Sequence, residues 1–166
     1  MKRIFLTILL FLPLVTACTK SEVATPKKVR IFVENLRSGG RNFLVSFSEE
    51  CGFTPESIPY FLEYATDETL LIAQPSPFSS YMGYVPLGVV VLWYVESIRT
   101  GGNPKLGGLV SLFPHISKNG ERLDGESAVL VVPELSGYYK AWWKKYGSNP
   151  RVAVQIDPLK DTGYSW

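Results

Sequence analysis

Leu87 to Ile98 is the most apolar stretch of the body of this chain, and it constrains everything around it. The run is short of the roughly 20 residues that cross a bilayer as a helix, and Glu96 interrupts it near its end. A segment apolar on every side has to be covered by other elements of the same chain. Val89-Val90-Val91 favours a strand on propensity, while the length of the run and the step from Glu96 to Arg99 favour a buried helix. The helix is the reading taken, and Thr100-Gly101-Gly102-Asn103-Pro104 ends it.

Proline marks where helices begin around this centre. Thr25 caps and Pro26 opens a first helix whose Val29, Phe32, Val33 and Leu36 fall on one stripe, and Ser38-Gly39-Gly40 stops it. Thr54 and Pro55 repeat the device for a second helix through Ile58, Phe61, Leu62 and Ala65 to about Thr66, with Pro59 distorting its first turns. Residues 73 to 83 carry Pro75, Pro77, Ser79 and Ser80 and read as a loop. A last helix is expected from Glu134 to Tyr146, just after Pro133. Short strands are expected at 43–47 and at 152–156, where apolar residues alternate. Asp157-Pro158 then turns the chain towards Trp166. The expected fold is mainly α, a small single-domain helical bundle over residues 26–166 with minor short strands. The alternative is α+β, with Val89 to Val95 as a central strand.

The first seventeen residues have the grammar of a signal peptide. Lys2 and Arg3 precede an apolar run from Ile4 to Val15, and the small residues Thr16 and Ala17 precede Cys18. Val15-Thr16-Ala17-Cys18 resembles the lipobox of bacterial lipoproteins. That resemblance implies removal of residues 1–17 and attachment of lipid, palmitate among the acyl chains, to Cys18. Several acyl chains on one cysteine anchor a protein stably where one alone is marginal. Residues 18–25 are then a short polar tether. The residue after Cys18 is Thr19 and not Asp, which by resemblance to lipoprotein sorting in enteric bacteria favours the outer membrane, with the side the body faces left open.

Charge and cysteine usage narrow the function classes. The chain has 17 basic and 15 acidic residues, and loss of Lys2 and Arg3 leaves the mature protein neutral, unlike a nucleic-acid binder. With 46% hydrophobic and 19% charged residues, it has an ordinary globular composition. Acylation of Cys18 leaves Cys51 as the remaining thiol, so no intrachain disulfide forms. Glu49 and Glu50 beside Cys51 disfavour its thiolate, so a structural cysteine is the better reading. One histidine, His115, excludes a multi-histidine metal site, and no Gly-x-Ser-x-Gly elbow or calcium loop is present. The glycine pairs lack the strand-to-helix phosphate pattern and read as turns, so no cofactor is implied.

Thr54-Pro55-Glu56-x-Ile58-Pro59-x-x-Leu62-x-Tyr64-Ala65-x-Asp67, Leu92-Trp93-x-x-Glu96-x-Ile98-Arg99 and Trp142-Trp143 resemble a family of small bacterial lipoproteins with a domain of unknown function. The closing Asp157-Pro158-Leu159-x-x-Thr162-x-Tyr164-x-Trp166 carries the same resemblance. It implies a mainly helical body and carries over no activity.

Two groups of side chains remain as candidate binding residues. Glu96 and Arg99 lie among Trp93, Tyr94, Val95 and Ile98, where a charge has to be paired: either a carboxylate–guanidinium site in a cleft beside Trp93, or an ion pair that fixes packing. Tyr138, Tyr139, Trp142, Trp143 and Tyr146 span about 140° of a helix, either as core or with one edge exposed as a platform for sugars or a protein. Acids between Arg41 and Arg99 and bases between Gly137 and Arg151 are kept apart, as suits an oriented contact. No catalytic residue is assigned. The favoured expectation is a non-enzymatic binding or envelope-assembly module, anchored in the membrane through Cys18 and meeting an envelope protein or glycan. The alternative is a carboxylate-dependent hydrolase of envelope or dietary glycans.

Overall fold

The computed structural model describes residues 26–38, 53–73, 83–101, 116–123 and 125–166. Helix α1, Pro26–Arg37, buries Val29, Val33 and Leu36, and Phe32 meets the edges of Phe53, Phe61 and Tyr94 at centroid distances of 4.9–5.9 Å. That aromatic knot ties α1 to the two elements it packs on. At the far end Arg37 bonds both Glu34 and Asp67, holding α1 to the connection that follows the next helix. Burial alone would raise the Asp67 carboxyl, but hydrogen bonds from Thr69 and Arg37 outweigh it and hold it below its ordinary value.

The second helix is shorter than its apolar spacing implies. Pro55–Ser57 form a 3-10 turn, and helix α2 covers only Ile58–Leu62. Pro59 is the cause: it has no N–H for the carbonyl of Pro55, which instead accepts from Ile58, one residue earlier. The Thr54 N–H is taken by the hydroxyl of buried Ser57 at 3.1 Å. Beyond Leu62 the chain runs to Asp67 in turns rather than in the helix expected to Thr66.

Those turns prepare the start of the central helix. Strands β1, Leu70–Ala73, and β2, Gly83–Pro86, pair antiparallel with Ile72 opposite Tyr84, so positions 73 and 83, expected in a loop, are strand ends. Leu71 and Val85 face the core. Helix α3, Leu87–Thr100, follows β2 directly. Its first N–H groups, normally left to a side-chain cap, go to backbone carbonyls: Leu87 to Thr69 at 2.8 Å and Gly88 to Asp67 at 2.7 Å. Gly88 permits this approach, because a Cβ there would stand 2.7 Å from the Ala65 carbonyl oxygen. Leu87 to Val95 are all buried, so the stretch expected as a central helix is one. Gly101, left-handed at φ 62°, closes it.

A hairpin of β3, Ile116–Lys118, and β4, Glu121–Leu123, turns through Asn119-Gly120, both at positive φ, and β5, Tyr164–Ser165, adds to the other edge of β3. Helix α4, Gly125–Tyr146, corrects the expected start at Glu134 by including Pro133. The bond Pro133 cannot make is to the carbonyl of Val129, and Pro133 lies on the exposed side, where solvent can take that carbonyl. Ala128, Val132, Leu135, Ser136, Tyr139 and Trp142 make its buried stripe. A second correction falls at 152–156: Pro150–Ala153 form a short helix, α5, followed by turns, and no strand runs there. Asn149 and Pro150 repeat the cap-and-proline start, and Val152 points outward while Ala153 is buried. The bend at Asp157-Pro158 is present, with the Asp157 carboxylate accepting the Leu159 N–H at 2.8 Å. The strand expected at 43–47 lies outside the described residues.

Candidate functional site

Glu96 and Arg99 stand three residues apart on α3 and form a two-pronged ion pair. Arg99 Nε donates to Glu96 Oε2 at 2.9 Å and Nη2 bonds Oε1, while Nη1 reaches the Val154 carbonyl at 3.3 Å. From α4, Tyr139 donates its hydroxyl to Glu96 Oε2 at 3.1 Å, and Trp166 Nε1 donates to that same hydroxyl at 2.7 Å. A carboxylate has about four lone-pair positions, so three converging donors leave it little to offer a substrate. Burial pushes the Tyr139 phenol well above its ordinary value, and the adjacent Glu96 charge adds to the shift. Burial also works against the Arg99 guanidinium, but its bonds with Glu96 more than restore it. The local reason is sequence spacing: on a helix, positions 96 and 99 share a face that meets α4 and the turn after α5.

The aromatic group on α4 divides by helical angle. Tyr139 and Trp142, near the middle of the arc, are buried, and Trp142 Nε1 donates to the Ala153 carbonyl at 3.2 Å. Tyr138 and Trp143, at its two edges, are half-buried, with the Trp143 ring 5.4 Å from that of Trp142. Trp93 on α3 is buried as well. Tyr146, between Trp142 and Tyr139 by helical angle at the end of the helix, is half-buried, so the arc faces the core without being wholly enclosed by it.

Tyr138 belongs to a second polar cluster that no local sequence pattern foretold. Its hydroxyl donates to Glu134 Oε1 at 3.0 Å, and Tyr164 from β5 donates to Oε2 at 2.5 Å. Lys118 of β3 donates to the Tyr164 hydroxyl at 2.8 Å, approaches Glu134 at 3.4 Å, and lies 4.6 Å from the centre of the Tyr164 ring. The hydroxyls of Tyr164 and Tyr138, then Lys118, hold the Glu134 carboxyl below its ordinary value. Asn119-Gly120 is a recognisable two-residue hairpin signal and would have placed Lys118 at a strand end. Nothing local ties Lys118 to Glu134 or Tyr164.

A third feature is apolar. On the outward face of the β1–β2 hairpin, Ile72 and Tyr84 sit directly opposite each other with 62% and 56% of their surface exposed, and Leu70 lies two residues along. Four consecutive apolar residues, Leu70 to Ala73, hide the alternation that separates inward Leu71 from its neighbours. Cys18, Cys51 and His115 lie outside the described residues. Among the described residues, no three of His, Cys, Asp and Glu come together as metal ligands, and no helix is long and apolar enough to cross a membrane.

No curated protein and no solved structure matches the chain. Residues 24–166 match the family described as Domain of unknown function (DUF4943). The match spans the helices, both hairpins and both polar clusters, and on it the chain belongs to that family.

Proposed function

We propose that the chain is a lipid-anchored lipoprotein of the outer membrane, held through acylated Cys18, whose body is a non-enzymatic binding or envelope-assembly module. The engagement of Glu96 carries the non-enzymatic part of this reading. The carboxylate in the most apolar surroundings of the protein is committed to Arg99 and Tyr139 rather than directed at a cleft. Glu134 is likewise occupied by two phenols and Lys118. Among the described residues, a surface open to a partner is the outward face of the β1–β2 hairpin, where Ile72, Tyr84 and Leu70 give an aromatic anchor flanked by aliphatic side chains. Such a pair, opposed across two strands, suits a protein partner, since contacts between proteins concentrate on a few aromatic and aliphatic anchors.

The anchor is tested by intact mass of the membrane-extracted protein. Residues 1–17 are expected to be missing and Cys18 to carry acyl groups, and Cys18→Ala is expected to release the protein from the membrane. A water-soluble product that begins elsewhere refutes the anchor. The binding surface is tested by placing a photo-crosslinking amino acid at Tyr84 of the full chain in intact cells. A discrete protein adduct is expected, lost in Ile72→Asp and kept in Lys140→Glu. Cleavage of an envelope glycan by the purified full chain, lost in Glu96→Gln or Glu134→Gln with folding intact, overturns the non-enzymatic reading.

A further inference from the structure

We infer that the exposed stripe of α1 formed by Lys27, Arg30 and Ile31 is a membrane-contact surface that seats the body on anionic phosphate headgroups. The inference rests on the lipid-anchor reading and adds an orientation to it. Pro26 is eight steps along the chain from Cys18, and a fully extended chain covers about 3.3–3.6 Å per residue, so the start of α1 lies within about 29 Å of the acylated cysteine. A globular body of this length has a radius of gyration near 14 Å and a width somewhat larger than that reach. The tether therefore keeps the start of α1 from lying at the pole of the body farthest from the membrane.

What α1 presents there has the chemistry of an anionic interface. Lys27, Arg30 and Ile31 are all exposed, and steps of three and four residues place them side by side on one helical face, opposite buried Val29 and Val33. Ile31 is half-exposed beside the two cations, so an apolar side chain can enter the headgroup layer while its neighbours meet phosphates. The tether adds Lys20 against Glu22. Lys28, on the flank of the stripe, lies 5.8 Å from the centre of the Phe53 ring. The acid further along the same face, Glu34, is bonded by Arg37, whose other branch is held by Asp67, so the one guanidinium offsets one of the two carboxylates and the cations of the stripe outnumber the charge that remains. Basic groups beside a membrane anchor add an electrostatic attraction to anionic lipid that decays within a Debye length.

The test uses the full, lipid-bearing chain with Cys51→Ser and a fluorophore on Ile31→Cys, reconstituted into vesicles that contain spin-labelled lipid. In phosphatidylcholine containing phosphatidylglycerol, quenching at position 31 is expected to be at least twofold stronger than in phosphatidylcholine alone. The difference is expected to vanish in Lys27→Glu/Arg30→Glu and, without any further substitution, at high ionic strength. A second reporter at Leu130→Cys on α4 is expected to stay unquenched in both vesicles. Equal quenching at position 31 in both vesicles, or equal quenching at positions 31 and 130, overturns the inference. The anchor is scored separately: flotation with the vesicles and acyl mass on Cys18, without the lipid-dependent signal at position 31, refutes the surface and leaves the anchor standing. Absence of both acyl mass and flotation refutes the two together.

Discussion

Glu96 and Glu134 are each gripped by a cation and by tyrosine, one hydroxyl on Glu96 and two on Glu134, and adjacent residues of α4, Tyr139 and Tyr138, supply one phenol to each. The helix turns about 100° between neighbours, so one phenol enters the interior and the other meets the surface. Side chains of Glu96 and Arg99 are 12% and 14% exposed, whereas those of Glu134 and Lys118 are 45% and 41% exposed. Similar groups in similar bonds should therefore carry very different energies. In the inner cluster, removing one partner strands another away from water. In the outer one, solvent replaces whatever is lost.

Deleting one half of the inner pair should have the largest effect. Arg99→Ala leaves the Glu96 carboxylate nearly enclosed without its cation, and a loss of about 3 kcal/mol is expected in urea unfolding of the body. Lys118→Ala in the outer cluster should cost far less in the same experiment, because water replaces the lost bonds. Equal losses would show that burial does not separate the two clusters. Tyrosine-to-phenylalanine pairs sharpen the contrast. Tyr139→Phe takes an acceptor from Trp166 Nε1 and a donor from Glu96 and should cost about 1–2 kcal/mol. Tyr138→Phe, with Glu134 still bonded by Tyr164, should cost clearly less than Tyr139→Phe.

Titration gives the smaller effects, with opposite signs at the two ends of the pH scale. The Tyr139 phenol is raised in the folded protein, so its contribution is complete below the ordinary tyrosine value of 10.0 and is lost as pH rises through the folded value. Tyrosinate absorbance should show a tyrosine that lags behind even the raised Tyr138 and Tyr164, and Tyr139→Phe should abolish the lag. Glu134 is depressed, so its contribution is present above the ordinary glutamate value of 4.5 and disappears as pH falls through the lower folded value. Unfolding in acid should accordingly lose this pH dependence in Glu134→Gln, and salt should weaken it because the cluster is exposed.

Much of this was legible where the physics is local. Pro26 and Pro55 mark a helix and a 3-10 turn because the ring presets φ and the missing N–H is one that no first turn needs. The same rule, applied to Pro133, misplaced the start of α4, because a helix held by its buried stripe tolerates an interior proline on its exposed side. The alternation of Val152, Val154 and Ile156 looked like a strand. The cap-and-proline pair at Asn149-Pro150 was the stronger local instruction.

The sequence by itself determined the buried central helix and its end. Nine consecutive buried residues from Leu87 to Val95 can be satisfied only by enclosure, and a left-handed glycine at 101 follows from its lack of a Cβ. It also determined that any charge beside that run had to be paired, and Arg99 stands one turn from Glu96 to pair with it. Only the tertiary structure decided the remainder of each cluster: Tyr139 reaches Glu96 across 43 positions and Tyr164 reaches Glu134 across 30. Hydrogen bonds are short and directional, and which of two adjacent tyrosines faces inward depends on how α4 is rotated against α3 and the β3–β5 sheet. That rotation belongs to the packed core as a whole, and no local pattern encodes it.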